Sequence, residues 1–327
     1  MHDLAISCRN LRKTYPGKPP VEAVRGIDLS IPVGECFGVL GPNGAGKTTT
    51  IEILEGLMQA TSGSAEILGM KWGRDDRQIR QQIGVSLQET ELSDRLTVRE
   101  TLELFRSFYP TGISVAEAIS RVSLQEKTNT WVKKLSGGQK QRLAVATALV
   151  GDPKVIFLDE PTTGLDPTSR RQLWEIVEAF EEQGRTVLLT THYMEEAERL
   201  CNRVAIFDGG KIIAEGTPKE LIRSLGAEHR IEFSWAGEWP DGTDQAIAAM
   251  RGIESVTQDD HTVTLTIDHP HEVLPPLVQK LLESGVKLTH LATRQASLED
   301  VFVSLTGRHL TESETAEAET VIAKVTG

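Results

Sequence analysis

The stretch Gly41-Pro42-Asn43-Gly44-Ala45-Gly46-Lys47-Thr48 decides the fold of this chain. Two glycines lie five residues apart, and lysine and threonine follow the second, which is the pattern of a phosphate-binding loop. The apolar run 36–40 before the loop is typical of a strand, and apolar residues recur at helical spacing over 49–58. Strand, glycine loop and helix together predict a nucleotide site; a glycine-rich turn without a ligand is the alternative interpretation.

The residue types of this loop indicate what each could do. Glycines let the backbone turn its N–H groups towards a phosphate, and the N-terminus of the next helix adds its positive dipole end. Lys47 is expected to reach the outer phosphates, and Thr48 to offer a hydroxyl ligand to Mg²⁺. The predicted nucleotide-binding residues of this segment are Gly41, Pro42, Asn43, Gly44, Ala45, Gly46, Lys47, Thr48 and Thr49.

Two further apolar runs end in polar residues. Residues 155–158 are continuously apolar, which is typical of a strand buried on both faces, and Asp159 and Glu160 follow them. Asp159 is expected to be the second Mg²⁺ anchor. Glu160 could act as the general base on an attacking water, although a surface glutamate after a strand is the alternative. The run 186–190 predicts another buried strand, which leads to His192.

A second helix start resembles an anion site. Ser136, Gly137, Gly138 and Gln139 open a helix with a hydroxyl group and free glycine N–H groups, so the same dipole argument applies. An ordinary glycine-rich N-cap is the alternative. If both helix ends serve one nucleotide, two copies of the chain could face head to tail, each completing the site of the other.

Composition limits the class of protein. The chain has 327 residues, 39% hydrophobic and 25% charged, which is ordinary for a globular protein of about two domains. The net charge of −12 argues against a nucleic-acid partner, because such binding uses clustered basic residues. No apolar run reaches the roughly 18 residues of a membrane span, and no signal peptide is evident. The three cysteines are too far apart for a CxxC pair, which favours buried free thiols in the cytoplasm.

The chain changes texture twice along its length. We predict an α/β nucleotide-binding domain over 1–226, with an all-helical subdomain at about 90–140 that capping boxes at Thr97 and Ser114 open. A small α+β domain is predicted over 227–307, with Trp235 and Trp239 in its core and a loop at His269-Pro270-His271. The acidic segment 308–327 is expected to be disordered.

Five motifs together carry a family resemblance. They are the loop GPNGAGKT, the sequence LSGGQ at 135–139, the strand VIFLDE at 155–160, the loop TTGLD at 162–166, and His192. In this order and spacing they resemble the ATPase subunits of ABC transporters, over roughly residues 4–226. The segments IGVSLQET, TTHYMEEAERLCNRVAIFDGGKIIAEGTP and SLEDVFVSLTGR are similar to bacterial exporter subunits of the daunorubicin-resistance (ABC-2) type.

That resemblance implies a fold, an activity and a set of roles. It implies a P-loop cassette that hydrolyses ATP with Mg²⁺ in a head-to-tail homodimer. A separate transmembrane permease, contacted within about Gln88–Tyr109, would hold the protein at the inner face of the cell membrane. The implied roles are adenine stacking for Tyr15, sensing of Mg²⁺ and water for Gln88, γ-phosphate binding from the opposite subunit for Ser136 and Gly138, communication across the dimer for Asp166, and γ-phosphate stabilisation for His192.

One alternative from another class stays open at this stage. Soluble ABC ATPases that act on nucleic acid or ribosomes share these motifs, but typically carry two cassettes or a long coiled-coil insertion. This chain has one LSGGQ sequence and an acidic balance. A regulatory cassette that does not hydrolyse ATP is a further alternative, which the presence of both Glu160 and His192 disfavours.

Overall fold

The computed structural model describes residues 3–87, 90–225, 229–237, 239–240, 242–259, 261–267 and 269–307. The chain divides into two compact units, the first ending at Pro218 and the second beginning at Lys219. The domain limits predicted from the sequence, with a boundary after residue 226, stay a prediction. The segment predicted to be disordered, 308–327, lies outside the described residues.

The strands of the first unit build two sheets. They are β1 Leu4–Tyr15, β2 Val21–Pro32, β3 Cys36–Leu40, β4 Ser62–Ile67, β5 Met70–Lys71, β6 Ile83–Ser86, β7 Val155–Asp159, β8 Thr186–Thr191, β9 Arg203–Asp208 and β10 Lys211–Gly216. One sheet has the order β10-β9-β3-β8-β7-β6, parallel except for β10 at its edge. The other is antiparallel, in the order β2-β1-β4-β5.

Helices cover the parallel sheet and form the inserted segment. They are α1 Lys47–Glu55, α2 Asp76–Gln82, α3 Val98–Arg106, α4 Val115–Arg121, α5 Gly137–Leu149, α6 Pro167–Glu181 and α7 Met194–Leu200, with 3₁₀ turns at Gln125–Lys127 and Val132–Lys134. A further helix, α8 Pro218–Arg223, begins at the boundary between the two units. Thr97 and Glu100 form the predicted capping box of α3, and the Ser114 side chain caps α4. The region 98–134 thus contains α3, α4 and two 3₁₀ turns, and the predicted limits of a helical subdomain stay a prediction.

Burial on both faces explains why β3, β7 and β8 do not alternate apolar with polar residues. Every residue of β3, β7 and β8 is buried, because helices or the second sheet cover both faces of the parallel sheet. The core joins Phe37 and Phe157 of the parallel sheet to Ile6 and Leu29 of the antiparallel sheet and to Ile51 of α1. Cys8, Cys36 and Cys201 are buried free thiols, as predicted. The mixed α/β fold is thus confirmed.

The second unit is an antiparallel sheet with helices. Its elements are β11 His229–Ala236, α9 Thr243–Ala248, β12 Ile253–Asp259, β13 Thr262–Ile267, α10 Pro270–Glu283, β14 Lys287–Gln295 and α11 Leu298–Thr306. The strand order is β12-β13-β11-β14. Leu277 and Leu281 of α10 pack with Phe233 and Trp235 of β11, and Trp239 packs against this core, as predicted.

One local prediction was wrong. The loop predicted at His269-Pro270-His271 is the start of α10, with His269 at the N-cap and Pro270 first in the helix. In the first unit, Tyr15 is the last residue of β1. Strand β2 continues through Gly26, which is the extra residue of a bulge between the pairs Arg12–Arg25 and Leu11–Ile27.

Candidate functional site

Strand register brings the predicted site residues to one edge of the parallel sheet. Leu40 at the end of β3 pairs with Thr191 of β8, and Asp159 at the end of β7 pairs with Thr190. Gly41, Glu160 and His192 therefore each follow a strand that ends at the same level. This edge, at the carboxyl ends of parallel strands, is where α/β sheets bind their ligands.

The glycine loop is held tightly against its surroundings. Gly41 and Gly46 have φ values of 145° and 95°, which favour glycine over residues with a side chain. A Cβ atom at Gly41 would overlap the carbonyl oxygen of Phe207, and one at Gly46 would overlap that of Ala23. Helix α1 begins after Gly46 without a side-chain cap, so its first N–H groups are directed at the loop and suit an anion.

Lys47 folds back over the loop that precedes it. Its side chain is buried, and Nζ donates to the carbonyl oxygens of Gly41 at 2.6 Å and Pro42 at 3.0 Å. Asn43, Gly44 and Thr48 are exposed, whereas Thr49 is half-buried. The ammonium group is thus anchored at the mouth of the loop, where phosphate oxygens would lie within its reach.

Asp159 and Thr190 form a buried hydrogen-bonded pair at the ends of β7 and β8. Thr190 Oγ1 donates to Asp159 Oδ1 at 2.5 Å and accepts from the backbone N–H of Glu160 at 2.8 Å. Burial raises the pKa of the Asp159 carboxyl, and the charge of Glu160 adds to this effect. A divalent cation would offset the cost of burying this carboxylate, because an opposite charge favours the ionised form.

Glu160 and His192 lie in direct contact. His192 Nδ1 is 3.3 Å from Glu160 Oε2, and the Thr163 hydroxyl donates to the same oxygen at 3.1 Å. The hydrogen bond with His192 holds the pKa of Glu160 below its ordinary value, against the opposing effect of burial. Glu160 is therefore ionised at neutral pH, as a general base must be. Its φ of 43° is uncommon for a residue with a side chain, and such strain concentrates at functional sites.

The LSGGQ segment opens α5 with a complete capping box. Ser136 Oγ accepts from the Gln139 N–H at 3.3 Å, and Gln139 Oε1 accepts from the Ser136 N–H at 3.0 Å. Ser136 and Gly137 are exposed, while Gly138 is buried where a Cβ atom would overlap Ser169. Of the two residues that the resemblance implies for contact with a second copy, Ser136 is thus accessible and Gly138 is buried in this structure.

Asp166 caps α6. Its Oδ1 accepts from the N–H groups of Thr168 and Ser169 at 3.0 Å, and its Oδ2 accepts from the Ser169 hydroxyl at 2.6 Å. The Ser169 hydrogen bonds lower the pKa of the Asp166 carboxyl. The side chain is exposed, so a structural role within its own chain leaves it open to a partner.

Two other residues predicted for the site are Tyr15 and Gln88. The Tyr15 hydroxyl lies 3.3 Å from Thr49 Oγ1 and 3.2 Å from Met58 Sδ, which places Tyr15 beside α1. Gln88 lies outside the described residues. Strand β6, which ends at Ser86 two residues before it, pairs with β7 and runs towards the same edge of the sheet.

Sequence reasoning missed two hydroxyl residues of the site. Thr190 joins Asp159 to the backbone of Glu160, and Thr163 contacts the Glu160 carboxylate. The signal for Thr190 was present, since it is a polar residue at the end of the otherwise apolar run 186–190. A buried hydroxyl at the end of a parallel strand needs a partner, and here that partner is the acidic residue across the sheet.

The residues present fit a nucleotide with Mg²⁺. The glycine positions leave no room for side chains, the start of α1 offers uncapped N–H groups, and Lys47 supplies a positive charge. Asp159 and Thr48 provide the carboxylate and hydroxyl oxygens that Mg²⁺ prefers. In the described part of the chain, none of the helices is long and apolar enough to span a bilayer.

Comparison with known proteins places these features in a family. The ABC transporter family matches residues 24–163, and the C-terminal domain of ATP-binding proteins like DrrA1-3 matches residues 216–306. A solved dimeric ATP-binding cassette in a post-hydrolysis state, bound to ADP and phosphate, matches with a TM-score of 0.60 at 29% identity. That match covers 65% of this chain and 98% of the other.

Curated relatives match over almost the whole length. Nod factor export ATP-binding protein I of Burkholderia orbicola is 39% identical, over 93% of this chain and 98% of the relative. Daunorubicin resistance ATP-binding protein DrrA3 of Streptomyces coeruleorubidus is 36% identical, over 94% of this chain and 97% of the relative. The resemblance inferred from the motifs is confirmed, and the soluble alternative is not favoured. This chain belongs to the ABC transporter family, as an ATP-hydrolysing subunit of the exporter type that carries a DrrA-like C-terminal domain.

Proposed function

We propose that two copies of this chain close head to tail around ATP and Mg²⁺, and that hydrolysis reopens them and drives a separate transmembrane permease. The observation that carries the proposal is the convergence of Lys47, Asp159, Glu160 and His192 at one edge of the parallel sheet. These residues supply a phosphate-binding cation, a metal ligand and an ionised base with its partner. Ser136 belongs to the exposed start of α5 and not to a loop that directly follows one of these strands, and a second copy would supply it to the site.

Each residue has an assigned task in this proposal. The loop 41–49 holds the phosphates, Thr48 and Asp159 hold Mg²⁺ together with Gln88, and Tyr15 stacks on the adenine. Bound Mg²⁺ supplies charge neutralisation on the phosphates. Glu160 accepts a proton from the attacking water, and His192 orients that carboxylate through the 3.3 Å contact of its Nδ1 atom.

The second copy would contribute the start of α5. Ser136, Gly137, Gly138 and Gln139 form a helix N-terminus with exposed residues, which suits the γ-phosphate of the nucleotide held by the partner copy. Asp166 would report on that contact, because it caps α6 from an exposed position. The dimeric cassette among the similar solved structures supports this arrangement.

The inserted helices offer a surface for the permease. A recess of about 450 Å³ is lined by Thr90, Glu91, Leu92, Asp94, Val132 and Lys140. Beside it in sequence, Leu104 and Phe108 of the α3 region expose 46% and 67% of their surface. Exposed apolar residues of this size mark interaction sites when they lie together on one helix face. We assign this surface to the permease, which would hold the protein at the cytoplasmic face of the membrane.

Export is proposed from the names of the relatives. One relative serves Nod factor export and another serves daunorubicin resistance, so relatives of similar identity handle different molecules. The transported substrate would therefore be selected by the permease and not by this subunit. No role for nucleic acid is proposed, in agreement with the net charge of −12.

Replacing Glu160 by glutamine tests the proposal. The amide cannot accept the proton of water, so kcat for ATP hydrolysis should fall by about 10²–10⁴-fold, the contribution of a general base. ATP affinity should persist, and the variant should accumulate as an ATP-bound dimer in size-exclusion chromatography. Glu35→Gln is the matched control, since Glu35 is a buried carboxylate at the opposite end of β3. Wild-type turnover of Glu160→Gln would contradict the assigned role.

A further inference from the structure

A buried carboxylate that the proposed mechanism does not use lies behind the catalytic edge. Glu196 belongs to α7 and has 0% of its surface exposed. Trp174 of α6, itself 4% exposed, donates its indole N–H to Glu196 Oε1 at 2.9 Å. Enclosing an ionisable side chain costs several kcal/mol unless it is paired. A glutamate at this position must therefore offer more than packing.

Two buried threonines that neighbour the catalytic residues in sequence lie near the Glu196 carboxyl. Thr162 lies two residues after Glu160, and Thr191 directly precedes His192; each is 1% exposed. Both hydroxyls lie close enough to the Glu196 carboxyl to oppose the rise in its pKa that burial causes. Within the described residues, however, neither Glu196 Oε2 nor Thr162 Oγ1 has a hydrogen bond of ordinary geometry. A small approach of these two atoms would complete the network.

A second contact supports His192 from the same two helices. The Tyr193 ring tilts against the His192 ring, with centroids 4.1 Å apart. The Arg170 guanidinium of α6 lies over the Tyr193 ring, 4.3 Å from its centroid. Arg170 also favours the ionised form of Glu196. The side chains of α6 thus reach the segment 191–196 at two points.

We propose that Glu196 is a positioning residue for ATP hydrolysis. It accepts a hydrogen bond from Trp174 of α6 and lies near the hydroxyl groups of Thr162, in the loop after Glu160, and Thr191, before His192, and so fixes the relative placement of the two catalytic side chains. Glu196 contacts no nucleotide in this proposal. The inference rests on the proposed function, because its effect passes through Glu160 and His192.

Steady-state kinetics of two Glu196 variants test the inference on the full chain. Glu196→Ala removes the shared acceptor, and kcat should fall by roughly 10- to 100-fold, the cost of a misplacement of about 1 Å. KM for ATP should change less than about two-fold, because the loop 41–49 is untouched. Glu196→Gln keeps the oxygen that accepts from Trp174 and should retain more than about half of kcat. An unchanged kcat in Glu196→Ala, or equal losses in both variants, would overturn the proposal.

A double-variant cycle separates positioning from general destabilisation. Because Glu196 acts through both Glu160 and His192, adding Glu196→Ala to His192→Ala should lower the single-turnover rate by a smaller factor than it lowers the rate of the wild type. A merely structural loss would multiply fully with the effect of His192→Ala, and this result would overturn the proposal. Glu35→Ala is the control for loss of a buried carboxylate: Glu35 is 9% exposed and pairs with Arg203 Nη1 at 3.4 Å, remote from His192 in its sheet. It should lower the melting temperature without changing kcat.

Two further measurements keep the outcome decisive. If Glu196→Ala does not fold, Trp174→Phe removes only the indole donor and should show the same loss of kcat at constant KM; a wild-type kcat there would count against the proposal. Glu160→Gln is assayed in parallel. Loss of turnover in Glu160→Gln with full turnover in Glu196→Ala refutes this inference alone, whereas full turnover in Glu160→Gln refutes the proposed function.

Discussion

Replacement of Asp300 by alanine should destabilise the second unit more than any single surface change. Asp300 lies in the first turn of α11 and accepts from Arg294 through two bonds, Nη1 to Oδ2 at 2.7 Å and Nη2 to Oδ1 at 2.9 Å. It also accepts from the Ser297 N–H at 2.8 Å, which completes the capping box of α11. Arg230 Nε of β11 lies 3.4 Å from Oδ1. One carboxylate thus ties β11, β14 and α11 together.

The size of the effect follows from what alanine leaves behind. Removing one partner of a buried ion pair costs about 3–5 kcal/mol, because the remaining charge stays buried. The Arg230 side chain is 8% exposed and would be stranded, whereas that of Arg294 is 43% exposed and would be hydrated. We therefore expect about 3 kcal/mol, at the lower end of that range. For a unit of this size, this corresponds to a fall in melting temperature of at least about 12 °C.

Hydrogen exchange on the full chain measures this effect in the second unit alone. Peptides from β11 and β13 should lose protection in Asp300→Ala, while peptides from β3 and β7 of the first unit should not. Glu299→Ala is the matched control, since Glu299 precedes Asp300 on α11 and is exposed. A change of less than about 1 kcal/mol, the scale of a surface ion pair, would refute the reasoning that Arg230 is stranded.

Two other predictions concern the charges of the site and of the second unit. Lys47→Ala should weaken ATP binding by roughly 10- to 100-fold, because charge-assisted hydrogen bonds contribute about 1.5–3 kcal/mol; titration with a fluorescent ATP analogue measures this, and undiminished affinity would count against a phosphate contact. Hydrogen bonds and the neighbouring arginines hold the pKa of the Asp300 carboxyl below the ordinary 3.8, against the opposing effect of burial. The stabilising effect of Asp300 is therefore present above pH 3.8 and is lost as the pH falls through the lowered pKa of the folded state. Protection of β11 should therefore fall in acid for the wild type, and an equal acid response in Asp300→Asn would contradict that assignment.

The parallel sheet could be predicted because its local signals agree with its tertiary environment. Buried parallel strands need continuous apolar runs, and 36–40, 155–158 and 186–190 show them. The antiparallel sheet was harder to predict from the sequence, because a glycine between two short strand-like runs, such as Gly26, is typical of a strand end. Its φ of 90° fits a bulge, and pairing with β1 continues on both sides of it. Which glycine ends a strand and which one bends it depends on the partner strand.

The start of α10 carries a sequence signal that the prediction of a loop at His269-Pro270-His271 does not use. Proline is favoured at the first helical position because its missing N–H has no partner there, and Pro270 occupies that position. The motif residues of the site, by contrast, could be named from the sequence because backbone geometry demands them. Thr163 could not, because its contact depends on the turn at Glu160. Thr190 ends an apolar run that the sequence shows, but its partners depend on strand register.

Helix α6 contacts both the start of α5, where a second copy is proposed to bind, and the buried residues next to His192. Its first turn packs against α5 so closely that a Cβ atom at Gly138 would overlap Ser169, and the same turn is capped by the exposed Asp166. Later turns carry Trp174, which reaches Glu196. A ligand can shift an equilibrium only by binding two states differently. In the proposed dimer, nucleotide held against one copy's α5 would act on the contacts that α6 shares with α5. Because protein interiors are close-packed, a displacement at the capped end of α6 would then alter the support of His192 in the same chain. Hydrolysis would then depend on dimer closure, even though the base and its histidine belong to one copy.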